Sequence, residues 1–203
     1  MVFNKIKAFL ECVDLKSIPE DRKMRLQSLI DHLKSQMPHA EIINLNFICT
    51  HNSRRSHLSQ VWAQVMAYHF QYNKIQCYSG GTEATAIFPM VINTLENTGF
   101  VINKLSEGTN PIYAIKYAPN QLPIIGFSKA FDHSFNPISQ FTAVMTCSEA
   151  NEACPVITGT ENRISLTYED PKLFDDTSLQ EEKYLERSTQ IATELYYVFS
   201  NLR

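Results

Sequence analysis

The sequence predicts an α/β fold: a four-stranded parallel sheet with helices on both faces. Three observations carry that expectation. Short apolar runs rich in β-branched residues recur at residues 42–48, 75–79, 141–146 and 163–168, as in strands buried on both faces. Longer stretches between them repeat their apolar residues at spacings of three and four, the period of an amphipathic helix. Strands that alternate with helices pair in parallel, because each crossover returns the chain to the same end of the sheet.

Residues 1–38 read as a helical hairpin. Its first helix carries Val2, Ile6, Phe9, Leu10 and Val13, and its second Met24, Leu26, Leu29, Ile30 and Leu33. Ser17 is placed as N-cap of the second helix, with Pro19 in the first turn and Glu20 closing a capping box. Met37-Pro38 should stop it. The first interior strand follows, and from Ser56 a helix presents Leu58, Val61, Trp62, Val65, Met66 and His69 on one face. After the strand at 75–79 comes a helix over 89–98. Residues 112–117 and 122–127 alternate around a Pro119-Asn120 turn and predict a β-hairpin. The strands at 141–146 and 163–168 complete the sheet, and a terminal helix over 179–202 sets Tyr184, Ile191, Leu195 and Val198 on one side.

At 203 residues and 44% hydrophobic content the chain can bury one sizeable core. A formal charge of -3 argues against broad nucleic-acid or membrane binding. With no leader and no apolar span, a cytoplasmic location is expected, where structural disulfides are rare and clustered cysteines are metal ligands or redox groups. The five cysteines are Cys12, Cys49, Cys77, Cys147 and Cys154. Their spacing matches no zinc ribbon or finger, so no metal site is expected. Cys12 and Cys77 read as core residues.

Cys49 opens the run Cys49-Thr50-His51-Asn52-Ser53-Arg54-Arg55-Ser56 between a strand and a helix. Free backbone N–H groups and the helix dipole favour a tetrahedral anion there, and a thiol in that field should ionise easily. Arg55 can fold back and grip two oxygens of the anion with its planar fork. Cys147 falls at the carboxyl end of a second interior strand, on the same edge as Cys49 if the strands are parallel. The polar segment 148–153 is a short helix or a loop leading to Cys154-Pro155. A reversible loop of that length could bring Cys154 within bonding range of Cys147.

The Cys49 run resembles the phosphate-binding loop of the low-molecular-weight protein tyrosine phosphatases and of the thioredoxin-coupled arsenate reductases that share their fold. The resemblance implies that Cys49 is the nucleophile and Arg55 the clamp. It also implies that Asn52 braces the loop and Ser56 hydrogen-bonds the thiolate. Thr50, His51, Asn52, Ser53, Arg54, Arg55 and Ser56 then form the oxyanion-binding set. His51 stands where a glycine is common, which matters if the backbone there needs a positive φ. Arg54 replaces a small residue and is expected to face solvent or substrate, without a catalytic role.

Thr146-Cys147-Ser148-Glu149-Ala150-Asn151-Glu152-Ala153-Cys154-Pro155 resembles the redox segment of the arsenate reductases, and Gly80 to Thr85 resembles their glycine-threonine-glutamate stretch. The phosphatases lack the cysteine pair. Asp170-Pro171 matches the late Asp-Pro of both families, which implies that Asp170 is the general acid. By itself Asp-Pro is a turn starter, and Glu169, Asp175 and Asp176 read as solvated loop charges.

The expected function is therefore reduction of arsenate to arsenite by a relay of Cys49, Cys147 and Cys154, re-reduced by thioredoxin or a similar dithiol, with no cofactor. The alternative is a phosphatase hydrolysing phosphate monoesters through the same Cys49, Arg55 and Asp170. A non-catalytic oxyanion-binding or redox-sensing module is the third reading. Since the family fold begins at the strand over 42–48, residues 1–40 form an extension, which could pack on the sheet or make a homodimer. Residues 41–203 form the catalytic domain. Its insertion at about 108–140 should cover a sheet edge or shape access to the site.

Overall fold

In the computed structural model, which describes residues 1–153 and 156–203, the chain runs α1 (Asn4–Glu11), α2 (Glu20–Gln36), β1 (Ile43–Cys49), α3 (Arg55–His69), β2 (Ile75–Gly81), α4 (Pro89–Thr98), β3 (Val101–Lys104), β4 (Tyr113–Lys116), β5 (Ile124–Gly126), β6 (Phe141–Met145), α5 (Ser148–Ala153), β7 (Thr160–Ser165) and α6 (Gln180–Ser200). The main sheet has the order β2-β1-β6-β7 and every pairing in it is parallel. Its helices lie on both faces, as the sequence predicts. Among the described residues no helix is long and apolar enough to cross a membrane.

The two faces are unequally covered. Leu45, Phe47, Val144 and Ile164 join a large core with α2, α3 and α6, whereas Ile48, Ala143 and Met145 pack with Ala150, Ile157 and Phe131 in a small one. Both Cys49 and Cys147 belong to the small cluster. Helix α3 is buried nearly all round, including His57, Ser59 and Gln60, so its sequence shows no clean stripe. His69, expected on its apolar face, is exposed at the last turn.

The N-terminal hairpin is tied into the large core. Phe9 stacks on Trp62 with centroids 4.9 Å apart, and Trp62 Nε1–H donates to Ser188 Oγ at 2.9 Å. Leu26, Leu29, Ile30 and Leu33 are buried as expected, but Met24 is 70% exposed. Cys12 is exposed, because it caps α1 and does not lie within it. Ser17 does not cap α2. Its hydroxyl donates back to Asp14 O at 2.6 Å within a 3-10 turn, and Pro19 takes the N-cap position with no side-chain bond. The turn chemistry at Asp14 outcompetes the capping box. Cys77 is buried in β2.

The inserted hairpin β4-β5 forms, and β3 joins it in a three-stranded antiparallel sheet. Beyond β5 the chain lies alongside β2: Gly81 N–H donates to Lys129 O and Phe131 N–H to Gly81 O, both at 2.9 Å. This covers the β2 edge at its carboxyl end and brings Ser128 and Lys129 to the Cys49 loop. Only glycine fits at position 81, where a Cβ would meet Thr50 O at 2.6 Å and Asn52 N at 2.7 Å. The run at 163–168 corresponds to β7 and its continuation, in which Leu166 and Tyr168 N–H groups donate to Met145 O and Thr146 O. Tyr168 thereby delivers the next segment to the same sheet end.

Candidate active site

The loop from Cys49 to Arg54 is held from outside by its carbonyls. Cys49 O accepts from Thr82 N–H at 3.1 Å, and Thr50 O from Glu83 N–H at 2.8 Å. His51 O accepts from the hydroxyls of Thr85 and Ser128. Asn52 O takes His57 Nε2–H at 2.9 Å, Ser53 O takes Phe88 N–H at 3.0 Å, and Arg54 O takes Leu58 N–H at 3.1 Å. With the carbonyls turned outward, the N–H groups line the concave side. Among the described residues those of Thr50 to Arg54 meet no hydrogen-bond acceptor. That is the geometry of an anion nest at a helix N-terminus.

Asn52 is the hub of the loop. It carries the positive φ, 44°, which leaves His51 in ordinary backbone space and removes the need for a glycine there. Its Nδ2–H donates to Ser56 Oγ at 2.9 Å, and its Oδ1 accepts Lys129 N–H at 2.9 Å. Ser56 Oγ, already an acceptor, has its own proton free for Cys49 Sγ 3.1 Å away. The chain Asn52 to Ser56 to Cys49 thus aims a hydroxyl donor at the sulfur.

Arg55 is buried and reaches over the loop. Its Nη1 donates to Tyr168 O at 3.0 Å and its Nη2 to Asp170 Oδ2 at 2.5 Å. Asp170 Oδ1 accepts Lys172 N–H at 3.0 Å. Asp170 therefore starts a turn and also enters the site. Between Cys49, His51, Ser53, Arg54, Arg55 and Asp170 the cavity is only about 10 Å³. An incoming oxyanion must displace the Asp170 carboxylate from Arg55.

Arg54 departs from the expectation of a solvent-facing or substrate-facing side chain. Its Nε donates to Tyr184 Oη and its Nη2 to Asp175 Oδ2, while its guanidinium lies 4.1 Å from the Phe88 ring centroid. Asp175, expected to be solvated, is a partner in this pair and only 15% exposed. Glu169 matches its expectation more closely: it is exposed and pairs with Arg187. Asp176 holds a positive φ of 61°.

Cys147 is fully buried just beyond β6, on the sheet edge that carries Cys49. Its Sγ lies 3.5 Å from Thr50 Oγ1 and accepts from Ala150 N–H at 3.4 Å. Thr50 also donates to Glu149, whose carboxylate stands 3.9 Å from Arg55. Cys154, the third expected thiol, lies outside the described residues. Among the described residues no group of three or more His, Cys, Asp or Glu side chains could hold a metal.

His57 and Lys129 are supports that sequence reading missed. Lys129 is buried from the inserted segment, its Nζ 4.5 Å from the Phe127 ring, and burial holds its ammonium down at about 8. His57 donates from Nε2 to Asn52 O, so Nδ1 accepts from Ser79 Oγ at 3.3 Å and the ring is neutral. Burial, then the Lys129 charge, hold its pKa down at about 3. Below 6.5 the unfolded chain binds a proton that the folded chain refuses until about 3. The His57 contribution is complete above 6.5 and is lost as pH falls toward 3, at up to about 1.4 kcal/mol per pH unit. Urea midpoints between pH 7 and 4 should show this slope, and His57→Gln should flatten it; equal slopes in the two proteins would refute the assignment. The only sequence signal was a histidine in the first turn of a helix rich in small residues.

Solved structures share this architecture. The low-molecular-weight phosphotyrosine phosphatase from Vibrio cholerae superposes with a TM-score of 0.52 at 12% identity, over 78% of this chain and 94% of its own. A mutant of Bacillus subtilis YwlE gives 0.53 at 12%, over 79% and 98%. An arsenate reductase in the phosphate-binding state gives 0.50 at 18%, over 80% and 100%. At these identities the likeness shows the fold, that of low-molecular-weight phosphatases and arsenate reductases. No family sequence model matches the chain, and no curated protein matches its sequence.

Proposed function

We propose that this chain is an arsenate reductase working through a relay of thiols. The observation that carries the reading is Cys147, buried beside the Cys49 loop with its sulfur 3.5 Å from Thr50 Oγ1. Ester hydrolysis has no use for a second thiol there.

In this mechanism arsenate displaces Asp170 from Arg55 and takes up the N–H groups of Thr50 to Ser56. Cys49 thiolate attacks arsenic, forming a sulfur–arsenic(V) bond as an arsenic–oxygen bond breaks; Asp170, released from Arg55 and protonated from solvent, gives that oxygen its proton, and it leaves as water. Cys147 thiolate then attacks Cys49 sulfur. A disulfide forms, the sulfur–arsenic bond breaks, and its electron pair stays on arsenic, which departs as arsenite. Cys154 attacks Cys147, freeing Cys49, and thioredoxin or another dithiol reduces the Cys147–Cys154 bond. Two thiols are oxidised for each arsenic reduced, and no cofactor enters.

Cys147→Ser provides the test. Turnover of arsenate with a dithiol reductant should fall to background, while any slow hydrolysis of an aryl phosphate should persist. A variant that reduces arsenate at the parent rate sinks the relay. A parent that hydrolyses aryl phosphate and forms no disulfide after arsenate is instead a phosphatase.

A further inference from the structure

We propose that Arg22, on α2 of the N-terminal hairpin, is a positioning residue for the Arg55 clamp and acts through Tyr168. The proposal rests on the reading of the Cys49 loop as an oxyanion site. Arg22 is 9% exposed and meets Glu194 of α6 fork to fork, Nε to Oε1 at 2.9 Å and Nη2 to Oε2 at 2.8 Å. Gln190 Nε2–H gives Glu194 Oε1 a further bond at 3.0 Å. Two parallel bonds fix the plane of a guanidinium where one would leave it free to turn.

That fixed plane lies on Tyr168. The Arg22 guanidinium carbon is 4.7 Å from the Tyr168 ring centroid, and burial pushes the phenol pKa well up, so the ring is neutral. The carbonyl of the same residue accepts Arg55 Nη1 at 3.0 Å, and Asp170, two positions on, holds Nη2. The flanking parts of this segment have other anchors, Glu169 on Arg187 and Asp175 on Arg54. Tyr168 is the point at which the hairpin itself reaches the clamp.

Stability alone does not account for the pair. A buried ion pair is commonly no more stabilising than apolar side chains of similar volume. What apolar replacements cannot supply is orientation. Arg22 therefore sets the place of the Tyr168 carbonyl and, through it, the direction in which Arg55 offers its fork.

The test compares the parent chain with Arg22→Met/Glu194→Leu, which keeps volume without charge, and with Arg22→Lys, which keeps charge without the fork. Two quantities are read well below the melting temperature: amide exchange of Tyr168, and protection of Cys49 from iodoacetamide by inorganic phosphate. In the double variant, protection should require about tenfold more phosphate, the loss of one well-placed charged hydrogen bond, and Tyr168 should exchange faster. Arg22→Lys should lie between. Phosphate protection within twofold of the parent, with or without faster exchange, would make Arg22 a structural anchor only and overturn the proposal. If the double variant does not fold, Arg22→Lys decides alone by the same criterion. A parent chain whose Cys49 phosphate does not protect would refute the oxyanion reading itself, a result visible before any variant is made.

Discussion

On the proposed reductase reading, Arg55→Lys is expected to turn over arsenate about 10²–10³-fold more slowly than the parent, the usual loss when one oxyanion donor is removed from a preorganised site. Arg55 is 6% exposed and divides its fork between the Tyr168 carbonyl and Asp170. A lysine ammonium is a point charge that cannot serve both directions at once, so charge is kept and geometry is lost. Initial rates with arsenate, together with phosphate protection of Cys49, measure the effect. A lysine variant within a few-fold of the parent would mean that charge alone suffices and that the fork is not the clamp.

Asn52→Ala should lower stability by about 3–5 kcal/mol, the sum of an alanine forced to a left-handed backbone and buried groups left unpaired. The Ser56 hydroxyl would lose its donor and Lys129 N–H its acceptor, since both bonds end on the Asn52 side chain. The iodoacetamide rate of Cys49 should fall as well, because an unbraced Ser56 need not point at the sulfur. Urea midpoints and alkylation rates read the two effects separately. An unchanged midpoint would show that Asn52 is not the hub of the loop.

The parts of the site that are contiguous in sequence were legible. Cys49 and Arg55 share one loop, and its flanking strand and helix announce themselves by period. Their supports come from far away. Lys129 reaches Asn52 across 77 positions, Tyr168 reaches Arg55 across 113, and Arg22 reaches Glu194 across 172. No local pattern encodes such meetings. Strand β3 was missed because Val101, Asn103 and Lys104 are exposed at the margin of its sheet, which leaves no buried alternation to read. Arg54 was misread because a charged residue in a loop looks solvated until the aromatic and acidic partners from α6 and its approach are known.

The pairing of β1 with β6 has a consequence for the order of events in biosynthesis. Thr50 and Cys147 stand 97 positions apart, and the strands that carry them are adjacent in the sheet. Contacts so distant in sequence close late, after the entropy of the intervening loop has been spent. A nascent chain halted after β2 would own Cys49, Arg55 and the loop between them but none of Lys129, Cys147 or Tyr168. Such a fragment should lack the Lys129 support of Asn52 and the Tyr168 support of Arg55, and the site should be assembled as a whole only when β6 slides in beside β1.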